Sequence, residues 1–375
     1  MTTGIRPFTI DVPQAEVDDL RERLAGTRWP RELPGPEWSR GAPVDHLREL
    51  AAYWEKDYDW RRHEARLNAL PQFTTEIDGL EVHFAHVRSA EPGALPLVLN
   101  HGWPNTFAEF TELIGPLTDP RAHGGDPAQA FHVVLPSVPG FGFSAAPGPG
   151  WSVEATARLY AELMRRLGYG RYGVQGGDLG AYIAPEIARA APESVVGVYI
   201  TAGLGFPTEA DIPDLTPDEL EQYNEIRRWS TGGLDHHALL RRGPQTFAYG
   251  WNDSPAALLG WLVHKFEEFS MAAEPLDEVI DRDLLLTNAS LYWFTQSAGT
   301  SSWPMYETAE FGWPQGQDRV PTGVYAGPPA IRRLAERHNR IEHWPEGNTG
   351  RHHFVAMESP GPYADDMRAF FGTVR

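Results

Sequence analysis

The pentapeptide Gly-Gly-Asp-Leu-Gly at residues 176–180 constrains the fold of this chain more than any other segment. It joins an apolar run at 172–175 to an alanine-rich helical segment at 181–188. Glycines around Asp178 permit a turn so sharp that the aspartate stands above the end of a strand, at the start of a helix. The segment is therefore predicted to be a nucleophile elbow. Because aspartate is also a favoured N-cap residue, plain helix capping is the alternative interpretation.

Short apolar runs on both sides of this segment predict a parallel sheet. Residues 96–100 and 131–135 are each followed by glycine or proline and then by a helical stretch, and 195–201 form a further strand. This alternation is typical of a sheet covered by helices on both faces. An alternating segment at 73–87, with an Asp-Gly turn, predicts a hairpin before them. We expect an α/β fold with a mostly parallel central sheet.

The remaining regions are predominantly helical. Residues 1–72 contain too few apolar residues for an independent core, so they are predicted to be an N-terminal helical extension packed on the core. Residues 206–299 are rich in acids and aromatics and interrupt the sheet, as a helical lid does. Strand candidates then resume, and a last helix is predicted at 363–371. The core is expected to comprise 73–205 and 300–375.

The overall composition excludes several classes of function. A formal charge of -19 without a basic stripe argues against binding to nucleic acid or an anionic membrane. The absence of cysteine excludes disulfides and thiolate chemistry and suits a reducing cytoplasm. No signal-peptide pattern and no window of about 18 apolar residues is present, so a soluble cytoplasmic protein is expected. Thirteen tryptophans and thirteen tyrosines suit the walls of an apolar ligand pocket, or simply fill the core.

A His-Gly-Trp-Pro turn at 101–104 follows the strand at 97–100. It should therefore meet the elbow at the same edge of the sheet. We predict that the backbone N–H groups of Trp103 and Leu179 form an oxyanion hole for the tetrahedral intermediate of ester hydrolysis. Taken alone, the turn is compatible with an ordinary loop, but its position before the elbow favours a function.

An aspartate at the elbow changes the expected reaction. A carboxylate displaces a leaving group at saturated carbon and leaves an ester that water later cleaves, which suits epoxides and alkyl halides. The histidine pair His352 and His353 lies after the last strand and before the last helix, where a triad histidine belongs. The neutral imidazole of one of these histidines would activate the water that attacks the Asp178 ester. A weak metal site is the alternative for this pair, but no ligands stand at a familiar spacing, so neither metal nor cofactor is expected.

At these motifs the sequence resembles the microsomal-type epoxide hydrolases of the α/β-hydrolase superfamily. Among them it is most similar to soluble bacterial enzymes of enediyne natural-product pathways. The likeness covers nearly the whole chain, and the matching segments are 6–8, 20–24, 27–30, 101–104, 177–180, 244–246, 252–255 and 291–293. Aligning His-Phe-x-Ala-Met-Glu selects His353 rather than His352 as the base.

The resemblance implies two lid tyrosines that hold the epoxide oxygen and protonate the alkoxide. Tyr306 falls where the second belongs. The position of the first is occupied by His236, which is followed by His237. These histidines either donate in place of the missing tyrosine or only shape the substrate pocket.

The triad acid is a second departure from the family pattern. The resemblance places it after the strand at 320–326, where residues 327–330 read Gly-Pro-Pro-Ala and contain no carboxylate. Glu307 is the leading candidate because it follows Tyr306 where the chain returns to the core, and Glu346 comes next. Each is alternatively a solvated surface acid.

The expected partner is a small-molecule epoxide, which the resemblance implies is opened to a vicinal diol. Asp178 attacks a ring carbon, Tyr306 supplies a proton, and water activated by His353 releases the product. A bulky aromatic epoxide of antibiotic biosynthesis is expected. The alternatives are a haloalkane or haloacid dehalogenase, with Trp103 contributing to halide binding, and a binding or cyclisation protein without turnover. A homodimer is compatible with the sequence.

Overall fold

The structure is a computed structural model of the 375-residue chain. It describes residues 4–201, 204–232, 236–270, 274–308, 312–325, 331–345 and 353–375.

The described residues form one nine-stranded sheet. Its strands are β1 (Arg6–Phe8), β2 (Gln72–Ile77), β3 (Leu80–Val87), β4 (Leu95–Asn100), β5 (Phe131–Pro136), β6 (Tyr172–Gly177), β7 (Val195–Thr201), β8 (Pro321–Tyr325) and β9 (Arg340–His343). Their order across the sheet is β1-β2-β3-β5-β4-β6-β7-β8-β9. Strands β1 to β3 pair in antiparallel fashion, whereas β4 to β9 are all parallel to one another. The predicted, mostly parallel α/β sheet is confirmed.

Helices surround this sheet. In the described part of the chain they are α1 (Gln14–Ala25), α2 (Val44–Lys56), α3 (Trp60–Asn68), α4 (Thr111–Thr118), α5 (Val153–Arg166), α6 (Leu179–Ala190), α7 (Pro217–Gly232), α8 (His236–Arg242), α9 (Pro244–Asp253), α10 (Pro255–Phe269), α11 (Leu276–Val279), α12 (Arg282–Thr295), α13 (Ser297–Thr300), α14 (Trp303–Tyr306), α15 (Arg332–Ala335), α16 (Val355–Glu358) and α17 (Pro360–Val374).

The sheet separates two hydrophobic cores because successive side chains of a strand point to opposite faces. In β4, Val98 packs into the core that contains α5 and α6, whereas Leu97 and Leu99 pack into the core formed with α4 and α17. Burial of Phe370 and Phe371 anchors α17 on this second face. The sheet is thus covered on both sides.

The N-terminal helices pack on the predicted lid through polar contacts as well as apolar ones. The indole N–H of Trp54 donates to Ser290 Oγ at 3.0 Å, and the Tyr58 hydroxyl is 2.9 Å from Thr287 Oγ1. Both partners belong to α12. A buried Trp60 begins α3, a helix that the sequence analysis did not single out.

The pairing of β4 with β6 positions the site. Asn100 and Gly176 are partners in this parallel ladder, so the turn after β4 and the turn after β6 start side by side. Side chains of helix α12 donate hydrogen bonds to the turn after β4. The Asn288 side-chain amide donates to the Pro104 carbonyl at 2.8 Å, and the Tyr292 hydroxyl donates to the Asn105 carbonyl at 3.3 Å.

Candidate active site

Asp178 occupies the sharp turn between β6 and α6. Its backbone has φ 50° and ψ -123°, a combination that residues other than glycine rarely adopt. The chain folds back so closely that a Cβ atom on Gly176 would lie 1.9 Å from the Gly180 carbonyl oxygen. Only glycine fits at that position. The predicted elbow pentapeptide therefore forms a tight strand-to-helix turn with Asp178 at its apex.

Two backbone N–H groups converge on one oxygen of this carboxylate. The N–H of Trp103 donates to Asp178 Oδ1 at 2.8 Å, and the N–H of Leu179 donates to the same atom at 2.7 Å. Gly102 makes this approach feasible, because a Cβ atom there would lie 2.3 Å from Asp178 Cβ. The structure thus brings together the two residues predicted for the oxyanion hole, and Oδ2 is oriented away from them.

His353 faces that second oxygen. Its Nε2 atom lies 3.4 Å from Asp178 Oδ2, and its ring packs against Phe269 and Phe354 at centroid distances of 5.2 Å and 4.7 Å. Burial opposes ionisation of Asp178, but the hydrogen bond and charge of His353, together with the N–H donors, outweigh it. The pKa of Asp178 is therefore lowered below its usual value. The carboxylate is ionised at neutral pH, as a nucleophile requires.

His236 packs against the oxyanion turn, the His-Gly-Trp-Pro segment at 101–104. Its ring is stacked on Trp103 at 5.1 Å with an interplanar angle of 7°, and it meets Phe269 edge-on at 5.2 Å. Burial, followed by the charges of His237 and Lys265, lowers the pKa of His236 well below its usual value. It is therefore a neutral imidazole with one N–H group to donate.

His237 stands one residue further along α8, with its ring 4.0 Å from that of His236. His236 itself contacts Trp103. The predicted pocket position is therefore filled by a residue with a direct contact to the oxyanion turn.

Tyr306 and Glu307 end the short helix α14, which packs against α8. The Tyr306 side chain is 40% exposed, and burial together with Glu307 raises its pKa. Tyr306 is not among the described residues that line the cavity at Asp178. Glu307 Oε2 accepts a hydrogen bond from the Gly150 N–H at 2.9 Å, and no described contact joins it to His353. Its predicted role as the triad acid stays a prediction.

Three other predicted features lie outside the described residues. They are His352, Glu346 and the segment 327–330.

A small cavity, partly open to solvent, adjoins Asp178 and His353. Several polar residues that the sequence analysis did not single out also line it, namely Asn105, Glu109, Gln175, Thr201 and Tyr363. Asn105 and Glu109 follow directly on the His-Gly-Trp-Pro turn, a position that could have drawn attention to them. Tyr363 comes from the last helix, and nothing in its local sequence signals the contact.

Glu109 is the second carboxyl group of this cavity. Burial, followed by the charge of Asp178, raises the pKa of Glu109 well above its usual value, although a hydrogen bond from the Asn105 side chain acts in the opposite sense. The two carboxyl groups are therefore driven to opposite protonation states, with Asp178 ionised and Glu109 neutral.

The described part of the chain holds neither a cluster of metal ligands nor a helix that could span a membrane. Across the described ranges, histidines and carboxylates do not gather in threes at a spacing that could hold a metal ion. Where helices are described, each is too short or too polar to cross a bilayer.

Comparison with known proteins decides the family. The model described as "Epoxide hydrolase N terminus" matches residues 5–110, and "alpha/beta hydrolase fold" matches residues 96–232. A "Putative epoxide hydrolase" of Stigmatella aurantiaca (strain DW4/3-1) is 39% identical over 378 aligned residues, spanning 99% of this chain and 86% of the relative. Epoxide hydrolase 1 of Oryctolagus cuniculus is 31% identical, spanning 99% of this chain and 89% of the relative. The chain belongs to the epoxide hydrolase family.

Solved structures agree with this assignment. Juvenile hormone epoxide hydrolase from the silkworm Bombyx mori is similar with a TM-score of 0.84 and 29% identity, covering 99% of this chain and 95% of that one. Aspergillus niger epoxide hydrolase gives a TM-score of 0.82 at 29% identity, covering 99% and 96%. The predicted α/β-hydrolase fold and the predicted resemblance to epoxide hydrolases are both confirmed.

Proposed function

We propose that this epoxide hydrolase opens its substrate through a covalent ester on Asp178. The observation that carries the proposal is that the two oxygens of the Asp178 carboxylate have different neighbours. Oδ1 is fixed by the N–H groups of Trp103 and Leu179, while Oδ2 faces His353 at 3.4 Å. A carboxylate held in this way presents one oxygen for attack and keeps the other where negative charge later develops.

In the first half-reaction, Asp178 Oδ2 forms a bond to a ring carbon as the carbon–oxygen bond of the epoxide breaks. The departing oxygen takes a proton from Tyr306, whose raised pKa keeps its hydroxyl protonated at neutral pH. The N–H of His236, stacked on Trp103, donates a hydrogen bond to the same oxygen. His236 thereby takes the place of the missing tyrosine.

In the second half-reaction, water attacks the carboxyl carbon of the Asp178 ester. His353 accepts a proton from that water, and Oδ1 carries the negative charge toward the N–H groups of Trp103 and Leu179. Collapse of the intermediate breaks the bond between the carboxyl carbon and the alkyl oxygen, and that oxygen takes the proton from His353 as the diol leaves. The proton of the new Asp178 carboxyl group returns to Tyr306 through solvent, which restores the enzyme. One oxygen from water stays on Asp178.

The aromatic wall supports a bulky, aromatic epoxide as substrate. Trp103, which lines the cavity, packs on Trp261 at 5.7 Å and on Phe269 at 6.1 Å, so a cluster of large apolar rings adjoins the cavity. An aryl epoxide of secondary metabolism, in the manner of the enediyne antibiotic pathways, fits this wall. A cysteine-free composition supports a cytoplasmic location.

A single turnover in ¹⁸O-labelled water tests the mechanism. Excess enzyme is mixed with an aryl epoxide, and peptides are analysed by mass spectrometry. We expect the label in the peptide that contains Asp178 and unlabelled oxygen in the newly formed diol. Label that enters the diol directly, with none in Asp178, contradicts the covalent route. A parallel incubation with the matching alkyl halide, assayed for halide release, distinguishes a dehalogenase.

A further inference from the structure

Glu109 places a second carboxyl group beside the nucleophile, and the two half-reactions above leave it without a role. It belongs to a single 3-10 turn over Phe107–Phe110 that directly follows the oxyanion turn. The Thr106 hydroxyl caps this turn by accepting from the Ala108 N–H at 3.3 Å, and the Glu109 N–H donates to the Thr106 carbonyl at 3.1 Å. The backbone thus holds Glu109 at the wall of the cavity that Asp178 and His353 share.

Asn105 lines the same cavity as Glu109, and its side-chain oxygen is a buried acceptor without a described hydrogen-bond partner. The Asn105 side chain acts as a hydrogen-bond partner that lowers the pKa of Glu109, and the Asn105 backbone carbonyl accepts from the Tyr292 hydroxyl. Asn105 is only 3% exposed, and its Oδ1 atom finds no hydrogen-bond partner among the described residues. Buried acceptors in a polar cavity of this kind are normally satisfied by an ordered water.

The groups around Glu109 make it a neutral hydrogen-bond donor. Its titratable neighbours in the cavity wall are Asp178, His353 and Tyr363, and Tyr292 lies above it on α12. Burial and the Asp178 charge raise the pKa of Glu109 well above its usual value, which favours a protonated carboxyl group. A protonated carboxyl group has one O–H that can donate to a water in the cavity.

We propose that Glu109 and Asn105 bind the hydrolytic water and hold it against the Asp178 ester, so that Glu109 is a positioning residue for the second half-reaction. The inference rests on the proposed covalent function. The four tetrahedral directions of that water are then all used. One hydrogen goes to His353, the other goes to Asn105 Oδ1, one lone pair accepts the Glu109 O–H, and the second attacks the ester carbon. His353 takes the proton, and Glu109 keeps its own throughout.

This arrangement fits a chain that lacks a carboxylate at 327–330. In a triad, the acid orients the histidine so that the histidine aims the water. In this proposal, Glu109 and Asn105 orient the water from the side opposite His353, and the backbone that follows the oxyanion turn fixes both residues.

The test measures the two half-reactions separately in rapid-quench single turnovers, with the alkylated enzyme quantified by mass spectrometry. Glu109→Gln keeps the shape, neutrality and donor of the acid, so ester hydrolysis should stay within about 3-fold of wild type. Glu109→Met removes the hydrogen bonds, so hydrolysis should slow about 100-fold while alkylation stays within about 3-fold. The ester should therefore accumulate in Glu109→Met alone.

Leu113→Val is the matched control for packing damage, because Leu113 is buried in the next helical turn but does not line the cavity. It should lower the melting temperature without changing the ratio of the two rate constants. Equal trapping by Glu109→Gln and Glu109→Met would overturn the proposal, since a negative charge rather than a neutral donor would then be required. Unchanged hydrolysis in Glu109→Met would overturn it too. If the wild-type enzyme forms no ester at all, the proposed function itself fails, which is a separate result.

Discussion

Asp178 and Trp103 lie at the ends of neighbouring strands, whereas His236 and Tyr306 lie on helices α8 and α14, outside the sheet. The first pair is fixed by backbone hydrogen bonds of 2.7 Å and 2.8 Å to one oxygen atom, through Leu179 and Trp103. In the second pair, His236 is held by ring stacking on Trp103, and Tyr306 is 40% exposed to solvent. We therefore infer a rigid half around the proposed nucleophile and an adaptable half that contains the groups proposed to contact the substrate oxygen.

His353→Gln should give the largest effect on the rigid half. Glutamine fills similar space but cannot accept the proton of the attacking water, so ester hydrolysis should fall about 1,000-fold while alkylation stays within about 3-fold. Intact-protein mass spectrometry should show enzyme plus substrate as the dominant species. Normal turnover by this variant would remove His353 from the mechanism.

Gly102→Ala tests how closely the oxyanion turn approaches the carboxylate. Its new methyl group would lie 2.3 Å from Asp178 Cβ, so either the turn or the nucleophile must move. We expect kcat/KM to fall about 100-fold, the effect of losing one oxyanion donor. Gly93→Ala is the control, since a Cβ atom there meets nothing within 4 Å. Similar activity in both variants would show that the turn is more tolerant than its geometry indicates.

The adaptable half should respond more mildly. His236→Phe preserves the stacking on Trp103 but removes the N–H group, and Tyr306→Phe removes only a hydroxyl. Each should slow alkylation about 10-fold and leave ester hydrolysis unchanged, because both are proposed to act on the departing oxygen. Pre-steady-state kinetics separates the steps. An effect confined to hydrolysis would contradict the roles assigned to these side chains.

Glu307→Gln should have the smallest effect. The carboxylate already accepts a hydrogen bond from the Gly150 N–H, and a glutamine oxygen can accept the same bond. Ester hydrolysis should therefore remain within about 2-fold of wild type in the rapid-quench assay. Trapping of the ester would instead identify Glu307 as the acid that the family pattern requires.

The part of the site that could be predicted from sequence is the part with local causes. A glycine-flanked aspartate between a strand and a helix, and a His-Gly-Trp-Pro turn after the neighbouring strand, carry their geometry in consecutive residues. The hairpin expected at 73–87 was similarly close to Gln72–Ile77 and Leu80–Val87. These features depend on backbone constraints that a few residues impose.

Other features depend on distant parts of the chain or on weak boundary signals. The last helix was expected at 363–371 but spans Pro360–Val374, because proline at its first position starts it earlier than its apolar spacing suggested. Glu109 and Tyr363 meet at one cavity only after α17 packs on the sheet. No local sequence pattern predicts that these two residues line the same cavity.

The two hydrogen bonds from α12 to the turn after β4 have a consequence for engineering. Asn288 and Tyr292 attach this helix to the carbonyls of Pro104 and Asn105, so Arg282–Thr295 is joined directly to the turn that carries the Trp103 N–H. Exchanges of substrate-binding segments between relatives should therefore retain this helix and replace only residues before it. A chimera cut inside α12 would transplant a new specificity at the expense of the oxyanion hole.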